Sequence, residues 1–232
     1  MNRVEVLQHF LDQRPQATYL EIGVQKGKVL LNLRASRKIA VDPEFRISRR
    51  RRWMGFLTNP SNRQNEYFEL TSDAFFEHHA DVLQGGIDVA FVDGLHTHEQ
   101  AHRDVCNVLK YLKPDGVIVM HDCNPMSAAA AQFGYAPKKA AQSGIPGWTG
   151  EWTGDVYKAI MQLRAERSDL HTCVLDCDYG LGIVRRGTPD STLKLSLDQI
   201  ATMTYEEFAS RRTELLNLRA PETFRSAARR AA

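Results

Sequence analysis

Apolar residues in this chain come in short runs, and each run stops at a polar or acidic residue. Tyr19, Leu20 and Ile22 lead into Gly23. The runs 38–41, 67–70, 87–92 and 117–120 end in Asp42, Ser72-Asp73, Asp93-Gly94 and His121-Asp122. Short apolar runs of this kind, bounded by turn signals, are expected of buried strands. Segments with helical spacing alternate with them. Val4, Leu7, Phe10 and Leu11 would share one face of a helix over 4–11. Further helices are expected over 26–33, over 72–83 with Ser72 as N-cap, over 98–112, and from Thr153-Gly154-Asp155 to about 167. Two closing strands follow at 171–175 and 180–184. The alternation predicts an α/β fold, in which ligands gather at the carboxyl ends of the strands. The polar strand ends should therefore converge.

Residues 124–153 connect the fifth strand to the next helix and are rich in Ala, Gly, Pro and Ser. They hold Gly134, Gly144, Gly147 and Gly150, with Trp148 and Trp152 as large flat surfaces. A connection this long at the carboxyl edge of a sheet is expected to be a lid or binding loop. The alternative is that both tryptophans simply pack it against the core. Residues 188–232 hold one amphipathic helix, about 205–218, and a basic end. The expected organisation is a domain over 1–187, with an insertion at about 124–153, and a C-terminal helical extension over 188–232.

Length and charge change this picture little. A chain of 232 residues fits one α/β domain with a substantial core. A formal charge of +2 is too slight to call for nucleic acid. The arginines at 49–52, followed by Trp53, form a local basic run, read first as a solvated helix face and second as an anionic-ligand site. No apolar run approaches the roughly 18 residues needed to span a bilayer. The protein is therefore expected to be soluble and cytoplasmic, with no membrane or nucleic-acid partner. Cys106, Cys123, Cys173 and Cys177 are too few and scattered for a secreted disulfide scaffold. His171, Cys173 and Cys177 alternate along one strand, but no second pair at metal-ligand spacing follows, so packed side chains are expected there rather than zinc.

Candidate chemistry begins at YLEIGVQKG, residues 19–27. A strand that turns sharply at Gly23, with Gly27 behind it, brings backbone N–H groups towards a ligand. This is not the dinucleotide fingerprint, because Gln25 stands where a glycine must approach a pyrophosphate. Glu21 would also repel phosphate. An acid beside a glycine turn suits a ligand with positive charge and no phosphate, unless the turn is an ordinary one. Asp42 lies fifteen residues beyond Gly27, at the tip of the second strand. In nucleoside-binding α/β folds an acid there accepts hydrogen bonds from both ribose hydroxyls.

With FVDGLHTHEQ (91–100) and LKPDGVIVMHDCNP (112–125) added, residues 18–186 resemble the class I S-adenosylmethionine-dependent methyltransferases, in particular a bacterial branch that O-methylates sugars and natural products. The resemblance implies a Rossmann-like seven-stranded sheet, mostly parallel with an antiparallel terminal strand and helices on both faces. It implies S-adenosylmethionine as cofactor, with Glu21, Gly23 and Gly27 around the methionine part, Asp42 on the ribose, Ser72 and Asp73 beside the adenine, and Asp93 nearby. It also implies Mg2+ or a similar divalent cation on Asp93 and Asp122, with His121 or Asn124 adding a contact. The Asp122-Cys123 pair departs from the Asp-Asn pair of catechol-type relatives, and cysteine is a poor magnesium ligand.

His96, three residues past Asp93, falls where those relatives carry the general base, with His98 as its rival. Asp93 and His96 are thus the candidate catalytic residues. Trp148, Trp152 and Asp155 are the candidate acceptor contacts. The acceptor is expected to be a sugar hydroxyl, with small phenols as the alternative. Competing function classes are a nucleoside-binding Rossmann oxidoreductase and a non-catalytic methyltransferase-fold partner protein. A homo-oligomer is left open.

Overall fold

The computed structural model describes residues 1–134, 144 and 148–222. In chain order the elements are α1 (Arg3–Asp12), β1 (Thr18–Ile22), β2 (Arg37–Val41), α2 (Arg49–Thr58), β3 (Asn65–Phe68), α3 (Ser72–His78), β4 (Ile87–Val92), α4 (His98–Leu109), β5 (Leu112–Met120), α5 (Tyr157–Glu166), β6 (Leu170–Leu175), β7 (Leu181–Arg186), α6 (Leu197–Thr202), α7 (Tyr205–Leu216) and β8 (Leu218–Arg219). Single 3-10 turns lie at Pro60–Gln64 and Ala80–Leu83. The strands are ordered β3-β2-β1-β4-β5-β7-β6-β8 in a mixed, mostly parallel sheet, as expected for a Rossmann-like methyltransferase fold. The chain divides into two compact units, one of residues 2–94 and 103–119, the other of residues 95–102 and those from 120 onward with Met1.

In the first unit β1 is central. It pairs in parallel with β2, from Thr18↔Arg37 to Ile22↔Val41, and with β4, from Tyr19↔Val89 to Ile22↔Val92. The strand order reverses there, and in open α/β sheets such a switch point is where ligands bind. Every residue of β4 is buried, including Asp88, whose Oδ2 accepts the Thr18 N–H and Lys113 Nζ, each at 2.8 Å. A capping box between Asn2 and Glu5 starts α1, which lays Val6, Leu7, Phe10 and Leu11 on the core.

One expected helix is absent. Residues 25–32 form successive turns instead of the helix expected over 26–33. Gln25 (φ 46°) and Gly27 (φ 65°) are both left-handed, which a right-handed helix cannot include. The carbonyls of this segment are met by buried side chains. Lys38 Nζ donates to Leu30 O at 2.9 Å and Leu33 O at 3.0 Å, Asn59 Nδ2 to Leu33 O at 2.7 Å, and Asn62 Nδ2 to Leu31 O at 2.9 Å. Side chains thus supply what a helical ladder would have supplied. A smaller difference concerns α3. Thr71, not Ser72, caps it by accepting the Ala74 N–H, and the helix ends at His78 before the 3-10 turn.

In the second unit β6 and β7 form the expected antiparallel pair, from Leu170↔Arg186 to Leu175↔Leu181. An eighth strand, β8, joins β6 in parallel through Val174↔Leu218 and Leu175↔Arg219. It exists because α7 ends on Asn217 in the left-handed conformation (φ 47°), which turns the chain out of the helix. Arg164 of α5 fixes α7 by donating from Nη1 to Glu214 O and Leu215 O, each at 2.6 Å, and from Nη2 to Ser191 Oγ at 2.7 Å. Among the described residues no helix is long and apolar enough to cross a membrane.

Candidate active site

The ends of β1, β2 and β4 are drawn together by the backbone. Gly23 N–H donates to Val41 O and Asp93 N–H to Ile22 O, each at 2.9 Å. Gly23 has φ 88°, and a Cβ there would lie 1.9 Å from the Asp93 carbonyl oxygen, so no other residue fits without moving that strand end. Asp42 is 7% exposed. Its Oδ2 accepts Gln25 N–H and its Oδ1 accepts Glu44 N–H, both at 2.7 Å. A carboxylate oxygen carries two lone pairs, so both oxygens keep capacity for a further donor.

Glu21 is buried to 1% exposure and accepts the Tyr19 hydroxyl at 2.7 Å. Burial pushes its carboxyl up to about 8; Asp93 adds to the rise, while Tyr19, the Leu30 N–H and Lys38 oppose it. Burial pushes the facing Lys38 ammonium down to about 8. Tyr19 and Lys38 are the partners that sequence reading missed. The alternation of β1 places Tyr19 on the same face as Glu21, a signal that was available. The Asp93 carboxylate accepts Arg3 Nη1 at 3.3 Å. Ser72 is buried at the start of α3, and the half-exposed Asp73 accepts Arg103 Nη1 at 2.9 Å.

The second group gathers around His96. Its Nδ1 lies 3.1 Å from Asp122 Oδ2, and its ring stacks on Trp152 at 5.0 Å with an interplanar angle of 15°. Trp152 is itself fixed, donating its indole N–H to Gln132 O at 2.8 Å. Gly154 (φ 62°) permits this approach, since a Cβ there would lie 2.0 Å from His96 O. Asp122 adopts φ 59°, a strained conformation for a non-glycine residue. Its Oδ1 lies 3.0 Å from His121 Nδ1, and His121 Nε2 lies 3.6 Å from Asp178.

Other predicted residues serve elsewhere. Asn124 donates to Asp176 Oδ1 and accepts Arg212 Nη1, each at 3.0 Å, while the Cys123 thiol is fully buried. Asp155 Oδ1 accepts the His98 N–H at 2.7 Å, capping α4 from a distance, and the His98 ring meets Gln162. His171 pairs with Asp190 at 3.0 Å, away from any zinc arrangement with Cys173 and Cys177. Trp148 is half-buried; Gly147 and much of the predicted 124–153 lid lie outside the described residues.

Within the second unit His96 and Asp122 each offer an atom that could serve as a metal ligand.

Residues 20–123 match the family model described as a methyltransferase domain. Solved structures share the fold at low identity. Cofactor-bound Rv0187 from MTB is 13% identical with a TM-score of 0.54, covering 79% of this chain and 78% of that one. The O-methyltransferase TomG from Streptomyces achromogenes, involved in tomaymycin synthesis and solved with SAM, is 15% identical with a TM-score of 0.53, covering 78% of each chain. The SAH-bound methyltransferase PaMTH1 of Podospora anserina is 17% identical with a TM-score of 0.50, covering 79% of this chain and 76% of that one. No curated protein matches the chain by sequence. The strand order is that of the Rossmann-like methyltransferase fold, and the stretch from β1 to just past β5 is similar to a methyltransferase domain.

Proposed function

We propose that the protein transfers the methyl group of S-adenosylmethionine to a hydroxyl of a small-molecule acceptor, with His96 as general base. The observation that carries this reading is the bracing of His96 between Asp122, at 3.1 Å from Nδ1, and the stacked face of Trp152. An imidazole held beside a carboxylate and against an aromatic face is suited to accept a proton near neutral pH. Methyl transfer from a sulfonium is an in-line displacement: the acceptor oxygen bonds the methyl carbon as the carbon–sulfur bond breaks. The hydroxyl proton passes to His96, and the donor leaves as neutral S-adenosylhomocysteine. Positioning supplies most of the acceleration, and the base contributes the remainder.

Asp42 would hold the ribose, Glu21, Gly23 and Gly27 would shape the methionine end, and Ser72 with Asp73 would flank the adenine. Asp93 and Asp122 would hold a divalent cation, with His121 beside Asp122. Such an ion, when bound, lowers the pKa of an acceptor hydroxyl and orients its oxygen. The flat faces of Trp148 and Trp152 would lie against the acceptor, for which a sugar hydroxyl is the choice and a phenol the rival. TomG, solved with SAM, supports the donor and the hydroxyl as target.

Titration with S-adenosylmethionine and with NAD separates this reading from a Rossmann oxidoreductase. Release of S-adenosylhomocysteine over a panel of glycosides and catechols then reports the acceptor. His96→Ala should lower turnover by about 10²–10⁴-fold and leave donor Kd unchanged. Unchanged turnover would remove His96 from the mechanism. Full activity after exhaustive chelation would remove the metal.

A further inference from the structure

The basic run at 49–52 has no part in the methyl-transfer chemistry, yet it lies on a helix of unusual surface. The sequence of α2, RRRRWMGFLT, contains four arginines and no acid. At 100° per residue, Arg50, Trp53, Met54 and Leu57 fall on one side, and Arg52, Gly55 and Phe56 on the other. The inner side packs. Gly55 is buried so closely that a Cβ there would meet Leu31 Cδ2 at 3.4 Å and Asn62 Nδ2 at 3.3 Å, while Arg52 lies 4.8 Å over the Tyr67 ring. The outer side leaves Trp53 61%, Leu57 60% and Met54 45% exposed, with the exposed Arg49, Arg50 and Arg51 around them.

The surroundings reinforce the charge. Arg51 Nη1 donates to Lys26 O at 2.9 Å, which brings the exposed Lys26 beside the helix. Glu44, the exposed acid of the preceding loop, is taken by Arg46 at 2.5 Å. A helix with bare Trp, Leu and Met framed by arginines has the composition of one lying in a lipid–water interface. A second copy of the same face would set arginine against arginine. A nucleic acid would use the Trp53 face for stacking but leave Met54 and Leu57 without partners.

We propose that α2 seats the protein on an anionic lipid surface, its arginines at headgroup phosphates and Trp53, Met54 and Leu57 at the acyl boundary. The sequence reading foresaw no membrane partner because no segment spans a bilayer. Peripheral seating needs no span, and it requires side-chain exposure that only the structure shows.

The test uses the full chain with phosphatidylcholine vesicles, with and without phosphatidylglycerol, at low salt. Co-sedimentation and a blue shift of tryptophan emission are expected with the anionic vesicles alone, both reversed by high salt. Arg49→Gln with Arg50→Gln should weaken binding about 25-fold, since each surface arginine contributes roughly 5-fold. Trp53→Phe should abolish most of the shift; the exposed position makes loss of the fold unexpected. Equal binding to neutral vesicles, no binding to either, or an undiminished shift in Trp53→Phe overturns the proposal. So does capture of poly(U) RNA, or self-association, in place of vesicle binding.

Discussion

Replacing Asp42 tests the donor site most directly, because its carboxylate would have two separable tasks. It accepts the N–H groups of Gln25 and Glu44, each at 2.7 Å, and so shapes the loop that follows β1. In the proposed complex it would also accept both ribose hydroxyls. Each hydrogen bond to a charged group contributes about 1.5–3 kcal/mol, so Asp42→Ala should cost on the order of 3–6 kcal/mol in stability with no ligand present. Loss of the bidentate ribose contact should cost a further 2–3 kcal/mol in binding, roughly tens- to hundredfold in Kd. The two effects are separated by calorimetric titration with S-adenosylhomocysteine and with its 2′,3′-dideoxy analogue. A misshapen loop weakens both ligands alike, whereas a lost ribose contact weakens only the ligand that has hydroxyls. The analogue should therefore bind wild type and Asp42→Ala within about twofold of each other, while the natural product distinguishes them. Equal binding of S-adenosylhomocysteine to both proteins, or an equal loss for both ligands, refutes the ribose assignment.

Glu21 makes stability depend on pH. Its carboxyl rises to about 8 on folding, so the folded chain binds the extra proton and is favoured below the unfolded value; that stability is lost as pH rises through 8. The thermal midpoint of wild type should fall relative to Glu21→Gln between pH 5 and 8, with a slope of up to about 1.4 kcal/mol per pH unit, and parallel curves would refute it. Trp148→Ala and Trp152→Ala should each weaken acceptor use while leaving donor Kd intact. Unfolding, or equal loss of donor binding, would show that both tryptophans belong to the core.

The strand ends were legible because β4 and the end of β5 are buried throughout, so their apolar runs had sharp polar limits. Segment 25–32 was not. Its helical spacing is real, with Val29, Leu30 and Leu33 buried, but nothing in a glutamine announces the left-handed φ of Gln25. Lys38 read as the polar start of a strand, and its burial depends on carbonyls at Leu30 and Leu33 that local pattern cannot place. The pairing of His96 with Trp152 crosses a connection whose path no periodicity specifies. Loop residues 93–96 could be chosen as chemistry, but which aromatic braces His96 required the coordinates.

Both halves of the candidate chemistry are fixed by contacts within the protein. On the donor side Glu21 accepts the Leu30 N–H while Lys38 donates to Leu30 O, so the turn after β1 is gripped at one residue by two buried ionisable groups. Around His96 the positioning is stored in backbone. Asp122 holds a left-handed φ of 59°, a conformation that costs on the order of 1–3 kcal/mol and persists only where neighbours enforce it. They do so here: Cys123 N–H donates to Gly180 O at 3.0 Å and Asn124 N–H to Tyr179 O at 2.9 Å. Gly180, at φ 87°, lets the two segments approach, since a Cβ there would lie 2.4 Å from Asn124 N. The strained turn directs the two oxygens of Asp122 to His96 and His121 at once. The proposed base would gain from having its orientation set in this way before any substrate arrives.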